Sequence, residues 1–469
     1  MKKNNESYAK NTFILLLGKF SSQLVSFLLL PIYTRYLITS DYGYVDLAIT
    51  YVLLLTPVLS LRLDSATFRL LVDCRKDEEK KSIYITNIIY ILIYLFIFSI
   101  VLGAILFFLL DFKYSLLIIF ATIISFVYGV FLQLFRGMGM NAKYSFCSII
   151  VAIANLISNI LLICILKMNA SSILISLIIS NLVGLIYILI SFNLNKSFKK
   201  KYINKNKIKE ILAFSLPMIP NALSWWLINT SDRTIITLFL GATFNAIYSI
   251  SCKFSNILNS VFDIFNMSWQ EIASLHINDE NKEEFFSNLI KKIFMVFSSF
   301  SLMIVICLPF VYDIIIGSEY YSSYNYIPII LFANLLNVLS GLLGGLYIAL
   351  KKTKEIALTT IYSGIINIVV HLLLVKYIGI YAAIISTIIS YLVIFIYRYI
   401  DIRKYVKIKI PYITIIVIFA VLGISTTMYL INNVYLNIVN LVLILLFIII
   451  YNRKDIKNYY NIILNKIKK

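Results

Sequence analysis

Fourteen long apolar runs, joined by short loops in which positive charge recurs at every second connection, leave this chain few ways to fold. A bilayer core of ~30 Å takes ~20 apolar residues to cross as a helix. The runs lie at about residues 12–34, 45–61, 83–110, 115–135, 144–166, 171–192, 211–237, 246–268, 289–316, 327–350, 356–375, 382–402, 411–431 and 436–452. Backbone polar groups in hydrocarbon must be satisfied within their own segment, so each run is expected to be a helix. The expected fold class is an all-α integral membrane protein with about 14 transmembrane helices.

The formal net charge of +20 follows from the same architecture. Positive residues crowd into alternate connections, most densely at 193–210, which carries Lys196, Lys199, Lys200, Lys201, Lys205, Lys207 and Lys209. The intervening connections and their edges hold only Arg35, Lys113, Lys167 and Lys376. Basic loops stay on the cytoplasmic side, which places both termini there and makes the lipid bilayer the partner of the charge. Nucleic acid is not an expected partner, because the charge is spread over many loops and forms no soluble basic domain. The first run reaches past Pro31, too long for the apolar core of a secretory signal, and is read as an uncleaved helix.

The loops leave little room for chemistry. The longest outward stretch is 317–326, and the sequence has no GxxxxGK[ST], GxSxG or HExxH motif. The five cysteines (Cys74, Cys147, Cys164, Cys252 and Cys307) lack metal-ligand spacing, and neither a metal site nor a cofactor is expected. Many spans, short loops and no ATP-binding motif point to a secondary transporter or flippase and away from an enzyme.

Transporters are often built from two related halves. The basic segment 193–210 divides the first twelve spans into six and six. The expected domains are therefore an N-terminal bundle at 1–192, a linker at 193–210, a second bundle at 211–405, and two added helices with a basic tail at 406–469. Asn155 and Asn159 in the fifth span correspond to Asn367 and His371 in the eleventh, each an i, i+4 polar pair on one helix face. LLICILKMNASSILIS in the first half also resembles LLLVKYIGIYAAIIS in the second.

Ionisable residues inside a membrane are costly and mark pathways or bundle interiors. The candidates are Lys19, Arg35, Asp46 and the Arg62/Asp64 pair in the first half, then Asp232, Arg233, Lys253 and Asp263. Span seven, FSLPMIPNALSWWLINTSDRTII, is the richest: Pro217 and Pro220 remove backbone donors, and a polar track follows through Asn221, Asn229, Asp232 and Arg233. Adjacent Asp232 and Arg233 point to different faces and need separate partners. Arg233 has the planar fork that matches phosphate oxygens. His371, on an apolar helix, reads first as a hydrogen-bonded core residue and second as a proton carrier.

With these residues identified, the chain resembles the polysaccharide-transport (Wzx-type) lipid-linked oligosaccharide flippases, relatives of multidrug extruders and peptidoglycan-precursor flippases. The resemblance runs through LLLPIYTRYLITSDYGYVDLA, FLQLFRGMGMNAKYS, FSLPMIPNALSWWLINTSDRTII, LGATFNAIYSISCKFS, GSEYYSSYNYIPIIL and ALKKTKEIALTT, in order over nearly the whole chain. It implies two six-helix bundles around a central cavity. It also implies alternating access that carries an undecaprenyl-pyrophosphate-linked oligosaccharide across the cytoplasmic membrane, for capsule or O-antigen synthesis. The family's cavity is cationic, and Lys19, Arg35, Arg233 and Lys253 are the matching positions. Asp46, Asp64, Asn229, Asp232, Asp263 and His371 are the cavity or coupling candidates. Coupling to a proton or sodium gradient is expected, and the polysaccharide polymerase and its assembly machinery are implied partners. The alternatives are a multidrug exporter of related fold and a peptidoglycan lipid-precursor flippase.

Overall fold

The computed structural model describes residues 18, 21–75, 77–109, 113–192 and 198–453, and among these it is helical with no strand. Lys19 lies outside the described residues, as does 193–197 of the basic linker. The chain divides into two compact units, Met1–Ser249 and Ile250–Lys469.

The first unit contains α1 (Leu30–Tyr36), α2 (Thr39–Leu59), α3 (Leu63–Asp73), α4 (Glu78–Leu109), α5 (Ser115–Gly137), α6 (Asn141–Asn159), α7 (Ser171–Ser191), α8 (Lys205–Ser215), α9 (Ile219–Asn229) and α10 (Ser231–Leu240). It also takes the first residues of α11 (Ala242–His276). The second unit holds the rest of α11, followed by α12 (Lys282–Ile315), α13 (Ile327–Ala349), α14 (Thr353–Ile378), α15 (Tyr381–Ile402), α16 (Tyr412–Ile431) and α17 (Val434–Tyr451).

Twelve helices among the described residues are long and apolar enough to cross a membrane. Two of the runs expected from sequence are not in that set. The beginning of the first lies outside the described residues, and the eighth became α11, whose wet face lowers its hydropathy. The surface agrees with a lipid solvent. Ile93, Phe98, Val101 and Phe108 of α4 and Leu443, Leu446 and Ile450 of α17 point outward, while Ser172, Ser176, Ser180 and Asn181 of α7 are buried. Small residues let membrane helices approach closely and pack in the absence of a hydrophobic driving force.

The first members of the repeated polar pairs do equivalent work in the two units. Asn155 Nδ2 donates to Ser180 Oγ across α6 and α7 at 3.5 Å. Asn367 Nδ2 reaches Ser386 Oγ and Thr387 Oγ1 across α14 and α15, both at 3.3 Å. After Asn159 the first-unit helix widens into a π turn at Ile160–Ile165, and Asn159 Oδ1 accepts from Tyr33 OH at 3.1 Å.

Two loops are more ordered than their composition suggests. The linker is pinned to α4 by Asn87, which donates to Tyr202 O at 2.9 Å and accepts from Asn204 N at 2.9 Å. Asn204 in turn caps α8. The outward stretch forms a 3₁₀ helix at Ser318–Tyr326. Its Tyr324 ring stacks on Tyr429 of α16 at 3.9 Å, and each hydroxyl donates to the other residue's carbonyl. At the start of α5, Lys113 pairs with Asp41, whose carboxylate holds the ammonium above its ordinary pKa.

Candidate functional site: a buried charge network in the first unit

Span seven is broken twice. Pro217 sits in a 3₁₀ turn, Leu216–Met218, and Pro220 opens α9, where a missing donor costs nothing. The second break, at Thr230, was not expected from the prolines: its backbone leaves helical geometry at φ −140° and ψ −22°. Asp232 and Arg233 therefore stand in the first turn of a separate short helix, α10. Trp226 anchors the preceding segment, its Nε1 donating to Thr50 O of α2 at 2.9 Å. Trp225, in contrast, is exposed.

Arg233 Nε lies 3.2 Å from Asp46 Oδ2, with side-chain exposures of 13% and 5%. The carboxylate is further held by Ser249, whose hydroxyl donates to Asp46 Oδ1 at 2.6 Å. Asn245 Nδ2 donates to Gly43 O at 2.8 Å and lies 3.5 Å from Asp46 Oδ2. Asp232, buried at 3% exposure, accepts from Tyr248 OH at 3.1 Å. Burying a carboxylate is expensive unless a counter-charge and donors replace its water. Asp46 has all three replacements: a guanidinium, a hydroxyl and an amide. The separate partners that the Asp232–Arg233 dipeptide required are thus Tyr248 and Asp46.

Sequence reasoning named Asp46, Asp232 and Arg233 but missed Asn245, Tyr248 and Ser249. Their i, i+3, i+4 spacing on α11 was the available signal. Gly43 was also missed. A Cβ there would overlap the Ala242 carbonyl, so glycine is what lets α2 approach the start of α11. Gly43→Ala is expected to push these helices apart, at a cost of about 1–3 kcal/mol, and to lower the unfolding temperature in detergent.

The other candidates are dispersed. Arg35 is exposed in the last turn of α1. Asn229 is exposed and its Nδ2 donates to Trp225 O at 2.9 Å. Asp64 stands in the first turn of α3 beside Arg62, at 3.5 Å. In the second unit Lys253 is half-buried on α11, Asp263 is exposed on the same helix, and His371 is fully buried on α14. Among the described residues, the first unit brings Asp46, Asp232 and Arg233 into one network. No group of three metal-ligating side chains occurs among the described residues.

The sequence profile described as "Polysaccharide biosynthesis protein" matches residues 8–270. No curated protein matches the chain. Among solved structures, that of the lipid II flippase MurJ in an inward closed conformation aligns with a TM-score of 0.69 at 13% identity, covering 95% of this chain and 100% of that one. An inward-facing multidrug resistance MATE family transporter of the MOP superfamily aligns with a TM-score of 0.68 at 13% identity, covering 82% of this chain and 95% of that one. At such identity the likeness is one of fold.

Proposed function

Because the chain belongs to the polysaccharide biosynthesis protein family, we propose that it is a flippase moving an undecaprenyl-pyrophosphate-linked oligosaccharide across the bacterial cytoplasmic membrane by alternating access. The observation that carries this reading is the conjunction of a polysaccharide-biosynthesis profile with a multi-span transporter fold. A sugar polymer assembled on a lipid needs its intermediate moved between leaflets, and a chain with this fold supplies the movement. Both termini are cytoplasmic in this reading, as the loop charge requires. A gradient of protons or sodium supplies the driving force, and the polymerase acts on the product.

Pyrophosphate leaving water needs fixed cations. Lys19, Arg35, Arg233 and Lys253 are the proposed set. Arg35→Ala or Lys253→Ala is expected to slow flipping about tenfold, the loss of one charge-assisted phosphate contact. Neither side chain is buried enough for the change to unfold the protein.

In cells depleted of the protein, a complete lipid-linked repeat unit is expected to accumulate beyond the reach of an external sugar-modifying probe, and its mass identifies the glycan. Normal levels and accessibility, with no redundant transporter present, would sink the reading. A multidrug exporter is the second reading, favoured by the acids buried at Asp46 and Asp232. It predicts drug sensitivity on depletion with normal surface glycan. A peptidoglycan-precursor flippase predicts instead that depletion stops cell-wall growth.

A further inference from the structure

Two adjacent tryptophans in the broken seventh span do opposite things. Trp226 is 8% exposed, and its indole nitrogen is fixed to Thr50 O of α2. Trp225 is 59% exposed. Successive residues on an α-helix stand about 100° apart, so anchoring Trp226 sets the direction in which Trp225 leaves the helix. α9 takes its own orientation because it is set off at both ends, by the Leu216–Met218 turn and by the break at Thr230. Asn221 and Asn229 are exposed on the same face, one turn to either side of Trp225. The face thus reads amide, indole, amide, with about 6 Å of rise between neighbours.

Lipid does not suit this face. Trp225 falls in the middle of the apolar run at 211–237, away from the headgroup levels at which tryptophans form a belt. Carboxamides turned toward hydrocarbon lose their water and gain no partner. Asn229 uses its Nδ2 on Trp225 O at 2.9 Å, which ties it to the tryptophan it flanks and leaves its Oδ1 as an acceptor.

We propose that the Asn221–Trp225–Asn229 face of α9 is a glycan platform, on which a pyranose ring of the transported lipid-linked oligosaccharide stacks. A pyranose ring has one chemistry on its faces and another at its rim: C–H groups above and below, hydroxyls around the edge. The negative face of an indole attracts the polarised C–H groups. A carboxamide offers two donors and an acceptor to neighbouring hydroxyls. An exposed tryptophan between two amides matches a sugar ring on both counts. Arg233 stands in the first turn of the next helix, four residues beyond Asn229. A pyrophosphate at that guanidinium leaves the attached saccharide within reach of α9. The platform rests on the flippase reading and adds to it the surface that senses sugar.

The test uses the purified full chain in nanodiscs and two probes: undecaprenyl pyrophosphate, and the saccharide-bearing lipid extracted from depleted cells. Native mass spectrometry counts the lipid bound. Tryptophan emission reports the platform, because the other two tryptophans, Trp226 and Trp269, are buried with their indole nitrogens bonded. The wild type is expected to prefer the saccharide-bearing lipid about tenfold, and to change its emission with that lipid alone. Trp225→Leu is expected to abolish the preference and to leave binding of undecaprenyl pyrophosphate unchanged. Trp225→Phe keeps a ring and retains part of the preference, and Asn221→Leu lowers it about threefold. Both positions are exposed, so little packing is lost, and an unchanged elution profile shows that each variant is folded. A preference that survives in folded Trp225→Leu, or is missing from a wild type that binds both lipids, would overturn the inference and leave the flippase reading standing. Equal loss of both lipids in Trp225→Leu would overturn it too, since the tryptophan would then act on the whole site and not on sugar. A wild type that binds neither lipid would remove the flippase reading itself, and the platform with it.

Discussion

Replacing Arg233 with methionine is expected to destabilise the first unit by about 3–5 kcal/mol, because it strands the buried Asp46 carboxylate without its counter-ion. Most of that loss should disappear when Asp46→Asn is added, since the double variant leaves no unpaired charge at position 46 and keeps the Ser249 and Asn245 contacts to an amide. Unfolding temperatures of the two single variants and the double variant form a cycle that isolates the pair. The cycle also separates two roles for Arg233. If the double variant recovers stability but lipid-linked glycan still accumulates inside the cell, the guanidinium serves transport. If glycan export recovers with stability, the pair is scaffolding and Arg233 leaves the proposed cation set.

Arg398→Lys is expected to cost the second unit about 2–4 kcal/mol, although it preserves the charge. Arg398 is 6% exposed in α15 and spans three helices. Its Nη1 donates to Ser340 O of α13 at 2.9 Å, and its Nε and Nη2 both donate to Thr359 Oγ1 of α14 at 3.1 Å. Gly344 leaves the space the guanidinium occupies, with a Cβ there falling 2.9 Å from Nη1. A lysine ammonium is a point donor and cannot hold these acceptors at once. Thermal unfolding measures the loss, and limited proteolysis in nanodiscs should show α14 and α15 loosening first. A variant as stable as the wild type would mean that the fork geometry contributes nothing here.

Arg398 also marks a limit of what the sequence discloses. In the linear pattern it sits at the end of a span next to Arg403 and Lys404 and counts as one more cytoplasmic positive charge. The structure adds what the linear pattern does not show: Arg398 is buried and hydrogen-bonded to two neighbouring helices. The spans themselves were legible: apolar length is imposed by the bilayer, so the expected runs coincide with α5, α7 and α13 to α17 to within three residues, while α4 and α12 begin five and seven residues earlier than expected. The Asn155/Asn159 and Asn367/His371 pairs were legible for the same reason, since polar atoms within hydrocarbon must find a partner on an adjacent helix. The partners of Asp46 were not legible. Asn245 and Ser249 lie about two hundred residues away in sequence, and nothing in local pattern says which wet face meets which. The Thr230 break was hidden as well, because threonine carries no helix-stopping signal comparable to the two prolines before it.

α11 has a consequence for how the protein is made. It carries Lys253, Asp263 and a run of serines and asparagines, and it is too polar to be counted among the helices fit to cross a bilayer. A segment leaving the ribosome is sorted by its own partition between the insertion channel and lipid, and charged residues near the middle of a helix oppose entry by about 2.5–3.5 kcal/mol each. α11 is therefore poorly suited to enter the membrane as an independent unit. Its entry depends on apolar neighbours that are already inserted or arrive with it, such as α10 before it and α12 after it. Biogenesis of this chain then has an order near its midpoint: α11, once it has emerged and before α12 follows, is a helix with no stable address in either water or lipid.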